Sequence, residues 1–147
     1  MLDFQDIQKD LEKLRKSRDV LSYVTDSTAA YGALVIETSG EPVVETGMIE
    51  GEIDNLAVKI AALWRDSKEV ASMLGEVSFN ETIYLGGSRH IFINLCGLNH
   101  LLVVLYGLES NLGLVKMYAG IAADRVATLL AVEDNTEGAT QEIEKTG

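Results

Sequence analysis

The chain is poor in cysteine, histidine and basic residues, and each shortage removes a class of function. Cys96 is the one cysteine, so no intramolecular disulfide is expected, and a reducing, cytoplasmic compartment fits. Only twelve lysines and arginines face twenty-three acids, a net charge of −11. Such a chain repels phosphate backbones and anionic lipid surfaces, which argues against nucleic acid and membrane partners. The longest apolar runs fall far short of the ~20 residues that span a bilayer. The opening Met1-Leu2-Asp3-Phe4-Gln5-Asp6 lacks the basic and apolar regions of a signal peptide. Two histidines, His90 and His100, and one cysteine make a poor metal set, because no third or fourth ligand stands at Cys–His spacing. Paired strands can bring the two histidines together only in some turn registers. A Cys96–His100 nucleophile pair has no orienting acid beside it. No catalytic, cofactor-binding or metal-binding residue is assigned.

What remains is a 147-residue chain with 47% hydrophobic residues, enough for one domain with a proper core. Phe4, Ile7, Leu11, Leu14 and Leu21 recur at three-and-four spacing and predict a first helix over about residues 3 to 25, broken by Thr25-Asp26-Ser27-Thr28. Five of the twelve basic residues (Lys9, Lys13, Arg15, Lys16 and Arg18) lie on it. With Asp6, Asp10, Glu12 and Asp19 interleaved they read as a solvated face, the alternative being a docking patch. A hairpin follows: Ala33-Leu34-Val35-Ile36, a Ser39-Gly40-Glu41-Pro42 turn, and Val43-Val44 returning. Pro42 cannot donate to a ladder, so it belongs at a strand start or on an edge.

A second helix is predicted over about Asp54 to Leu74, with Ile53, Leu56, Ala57, Ile60, Leu63, Trp64, Ala71 and Leu74 as its core face. The opposite face mixes Val58, Ala62 and Met73 with Arg65, Glu69 and Ser72. Small apolar residues beside single charges suit a close helix–helix contact; a partly solvated face with tolerated alanines is the other reading. Three strands come next: Phe79–Leu85, a two-residue Gly86-Gly87 turn, Arg89–Cys96, a Gly97-Leu98-Asn99 turn, and an all-apolar Leu101–Leu105 that should be central with both faces covered. Asn111 caps a last helix to about Val132, with Val115, Ala119, Ala122, Val126 and Leu129 buried. Residues 1–133 form the domain, and 134–147 read as a flexible acidic tail with Ile143 its single large apolar residue. Gly86-Gly87 joins two strands, not a strand and a helix, and Leu112-Gly113 has no Lys-Ser/Thr pair, so no phosphate cradle is present.

The fold class expected is α+β, an α/β sandwich in the order α-β-β-α-β-β-β-α. That order resembles the Roadblock/LC7 domain, with a five-stranded antiparallel sheet and flanking helices. Residues 32–43, Gly-Ala-Leu-Val-Ile-Glu-Thr-Ser-Gly-Glu-Pro-Val, resemble the family's first hairpin. Leu74-Gly75-Glu76-Val77-Ser78-Phe79 and Ser110-Asn111-Leu112-Gly113-Leu114-Val115-Lys116 are similar to two later junctions, most like those of the bacterial MglB-type branch. The resemblance covers about residues 5 to 132. It implies a homodimer joined edge to edge through the strand at Phe79–Leu85, with the second helices side by side. It also implies that such a dimer binds a Ras-like small GTPase in cell polarity or motility and promotes GTP hydrolysis by resetting the GTPase's own residues. The interface residues expected are Val58, Ala62, Arg65, Glu69, Met73, Phe79 and Ile83. The competing function is a small-molecule sensor or a general interaction scaffold on the same plan, and an enzyme is the weakest reading.

Overall fold

The computed structural model describes residues 3–47 and 52–146, with side chains described as far as residue 131. The elements are α1 (Phe4–Thr28), β1 (Gly32–Glu37), β2 (Pro42–Gly47), α2 (Ile53–Met73), β3 (Glu81–Leu85), β4 (Arg89–Cys96), β5 (His100–Gly107) and α3 (Leu112–Thr146). The five strands form one sheet in the order β2-β1-β5-β4-β3, with every neighbouring pair antiparallel. This is the α+β arrangement expected from the residue pattern.

β5 occupies the middle, and its apolar run explains why. Leu102, Val104 and Tyr106 point into a core with α1 and α3, while Leu101, Val103 and Leu105 point into a second core with α2. Phe92 joins the first core and Ile93 the second, so β4 alternates as its residues predict. Pro42 opens β2, an outer strand, where its missing N–H costs no ladder bond. Asn111 caps α3: its side-chain oxygen accepts the N–H of Leu114 at 3.2 Å.

Several expectations change. α1 does not break at Thr25; it runs to Thr28, where the Thr25 and Thr28 hydroxyls donate to the carbonyls of Ser22 and Val24 and leave the helix ladder intact. Ala29 ends it in the left-handed region, at φ 59°. Leu21 is buried and Leu14 half-buried, but Phe4, Ile7 and Leu11 are exposed, because α1 starts beyond the end of the sheet. The third strand begins at Glu81, not Phe79. The turn after it is three residues long, Gly86 to Ser88, and is closed by the Gly86 N–H donating to the Arg89 carbonyl at 3.0 Å. A Cβ on Gly86 would collide with that same carbonyl. α3 runs past Val132 to Thr146. The flexible tail expected over residues 134–147 lies beyond residue 131, where side chains are outside the described residues.

Candidate functional site

The two faces of the sheet are covered unequally, and this defines the site. Five strands span roughly 19 Å and a helix is roughly 10 Å across, so one face takes about two helices. α1 and α3 cover the first face. α2 stands alone on the second, where Ala57, Ile60, Ala61 and Trp64 pack on Leu34, Ile36, Leu101 and Val103 of β1 and β5. Beyond it, Thr82 and Tyr84 of β3 and Ile91 and Leu95 of β4 are only half-buried on that same face.

Charges and contacts orient α2. On one flank the Arg65 guanidinium donates to the Thr38 carbonyl at 3.1 Å, and Val58 lies against Gly40. That flank therefore faces the β1–β2 turn. At Gly40 the backbone has φ 108°, and an added Cβ would sit 3.2 Å from the Val58 Cα. A glycine meets both demands. The other flank, on the side of β4 and β3, carries Leu63, Val70 and Leu74, exposed at 42%, 51% and 70%. Leu63 and Leu74 were expected in the core. They lie about 100° and 80° around the helix from Trp64, too far to reach the sheet. Ala61, not assigned to the core from the sequence, is fully buried instead.

The seven residues expected at an interface thus separate. Val58 and Arg65 are spoken for by the neighbouring turn. Ala62, Glu69 and Met73 point outward from α2, with Met73 84% exposed. Phe79 is half-buried in the segment before β3. Ile83 pairs with Phe92 and so lies on the α1–α3 side of the sheet, not the α2 side. β3 is the outermost strand at its end of the sheet, tied to α3 by the Glu81–Lys116 ion pair at 3.3 Å. The exposed apolar residues of α2 that the sequence reading did not place at an interface are Leu63, Val70 and Leu74.

The residues capable of chemistry are not assembled. His90 pairs with Tyr106 and His100 with Cys96, which puts the histidines at opposite ends of the β4–β5 ladder. The Cys96 thiol is buried, donates to the Ala123 carbonyl at 3.2 Å, and is pushed up to about 12 by burial, with Asp124 adding to the rise. It stays a thiol at neutral pH and is no nucleophile. Among the described residues no group of three or more His, Cys, Asp or Glu side chains is placed to hold a metal. None of the described helices is long and apolar enough to cross a membrane.

No family model and no curated protein matches the chain. Solved structures do. An MglB with a tetrameric arrangement superposes with a TM-score of 0.76 at 25% identity, over 80% of this chain and 89% of that one. The gliding protein MglB from Thermus thermophilus follows at 0.75 and 24%, over 80% and 90%. A Roadblock/LC7 domain from Streptomyces avermitilis gives 0.71 and 16%, over 77% and 96%. The chain has the Roadblock/LC7 fold in its MglB-like form.

Proposed function

We propose that this protein is a homodimeric regulator or scaffold that binds a Ras-like small GTPase. The observation that carries the reading is the half-covered sheet face, with the apolar flank of α2 turned toward it. A second α2 related by a twofold axis fills that space: Leu63, Val70 and Leu74 of each copy meet, and β3 edges run side by side with Phe79 and Ile83 near the seam. The outward residues Ala62, Glu69 and Met73, with Val58 and Arg65 at their margin, then form one surface of doubled area. A standard interface buries roughly 800 Å² per partner, more than one helix face supplies and near what two supply.

The Roadblock/LC7 fold and its likeness to MglB support this kind of partner. Switch segments of a Ras-like GTPase order around the γ-phosphate, so a surface that contacts them discriminates nucleotide states. With no catalytic group of its own on that surface, the dimer acts on hydrolysis by holding the GTPase's residues in place, in a cytoplasmic polarity or motility system. The small-molecule reading loses ground because Leu34, Ile36, Ile60 and Trp64 fill the space between sheet and α2 where a ligand would sit. Light scattering on the purified chain, then pull-downs of the organism's small GTPases loaded with GDP or a GTP analogue, test the proposal. A dimer mass and preferential capture of the GTP-analogue form are expected. A monomer, or equal capture in both states, would count against it.

A further inference from the structure

The apolar stripe of α1 extends beyond the core that covers its later part. Phe4, Ile7 and Leu11 are 69%, 43% and 60% exposed, whereas Leu14 is half-buried and Leu21 fully buried against the sheet. The buried positions of α1 begin only at Ser17, so its first turns project past the sheet. α3 lies on another side of α1. It packs where Val20 and Tyr23 line the groove between the two helices, with Ile121 and Leu129 opposite. At 3.6 residues per turn, positions 4, 7 and 11 stand about 160°, 140° and 180° around the helix from position 20. Three large apolar side chains thus form one uncovered row, turned away from the neighbouring helix.

The spacing of the row decides what fits it. Phe4, Ile7, Leu11 and Leu14 follow intervals of three, four and three, the spacing of a seam between two helices. Those intervals read the same backwards. An antiparallel copy of the row, with position 4 opposite 14 and position 7 opposite 11, therefore sets apolar against apolar in all four layers, about a twofold axis. A parallel copy does not fit. Leu14 and Leu21 carry the same stripe into the core, so a parallel helix would run on into the sheet. The antiparallel helix ends there, its own Phe4 at Leu14.

We infer that a second copy of this chain covers the stripe, residues 4–14 of each α1 lying antiparallel along the other's. The contact uses α1, on the face of the sheet opposite α2, and stands whether or not the α2 seam forms. Its overlap is roughly 15 Å long, about three turns. That is well short of the roughly 800 Å² per partner of a standard interface, so the association is weak. It takes effect at high local concentration, as between dimers already joined through α2. One pair of charges opposes it. Asp10 stands on the flank of the row beside the axis, roughly 3 Å along the helix from its twin, so two carboxylates face each other.

Sedimentation velocity on the full-length chain, up to about 1 mM, reads the association. Leu11→Ala removes a side chain that both copies bury and should weaken it roughly 30-fold or more. Asp10→Asn removes the facing carboxylates and should tighten it by up to about fivefold, a gain that unfolding does not mimic. Both effects should persist in a Leu63→Ala chain, whose α2 seam is weakened. The register is tested by mild oxidation, in which the buried Cys96 takes no part. Gln8→Cys on two copies falls roughly 3 Å apart along the helices and Asp3→Cys roughly 18 Å apart, so the first should link copies and the second should not. Equal linking of both would show a parallel or random encounter and overturn the inference. So would an association unmoved by Leu11→Ala, or none beyond the α2 seam at about 1 mM, which would leave the stripe to a different protein.

Discussion

Replacing Leu63 with alanine separates a dimer from a monomer with an exposed leucine. Leu63 keeps 42% exposure in the single chain. Fully burying a leucine side chain is worth about 1.5–3 kcal/mol, so covering the remainder across a twofold axis adds roughly 1 kcal/mol per copy. Both copies lose it at once, roughly 2 kcal/mol in all, which is about a 30-fold weaker Kd. Ile60, one turn earlier and 1% exposed, is the control. Its alanine variant removes core contacts within the chain and should cost about 2–5 kcal/mol of the chain's own stability. A dilution series followed by light scattering gives the dimer constant, and urea unfolding at two protein concentrations gives the stability of each variant. Leu63→Ala should move the dimer constant and the concentration dependence while leaving the folded monomer nearly as stable as before. A dimer constant within about threefold of the unmodified chain's would refute the reasoning, since the apolar flank of α2 would then not be at the seam.

Three further outcomes are expected. The Cys96 thiol is raised from its ordinary 9.0 to about 12 by burial, so between those pH values the unfolded chain has lost the proton that the native chain keeps. The unfolded state then binds fewer protons, and stability falls with rising pH by about 1.4 kcal/mol per unit; Cys96→Ala should flatten that slope in urea melts between pH 9 and pH 11. Asn111→Ala should cost about 1 kcal/mol by removing the α3 cap, with Asn111→Asp close to neutral, both read from denaturation midpoints. Gly47 sits at φ 88° with the Tyr31 carbonyl where a Cβ would go, so Gly47→Ala should destabilise by about 1–3 kcal/mol, while Gly87→Ala, with open space around it, should stay within about 0.5 kcal/mol.

The parts of the fold legible in the residue pattern are those where one physical demand acted alone. Leu101–Leu105 is apolar at every position, and only a central strand with layers on both sides satisfies that. The alternation of Ile91, Ile93 and Leu95 against His90, Phe92 and Asn94 separates the two cores without ambiguity. Boundaries were harder, because competing local terms decide them. Thr25 and Thr28 look like breakers, yet their hydroxyls bond back to carbonyls one turn earlier and the helix carries on. The Gly86-Gly87 pair suggests a two-residue turn, yet the ladder closes one residue later, at Arg89.

The faces of α2 were only partly legible. That α2 carries more apolar residues than one buried face takes was visible from the sequence, with a helix–helix contact and a partly solvated face as the two readings of the surplus. Which residues served which contact was not, because a helical pattern alone gives angles and no reference direction. The direction comes from two contacts distant in sequence, Arg65 to the Thr38 carbonyl and Val58 to Gly40, which turn that flank toward the hairpin. Once it is turned, Leu63, Val70 and Leu74 face the uncovered strands by geometry alone. Of the residues that looked like an interface, Ala62, Glu69 and Met73 then point outward while Val58 and Arg65 face the turn, and Leu63 and Leu74, which looked like core, are exposed.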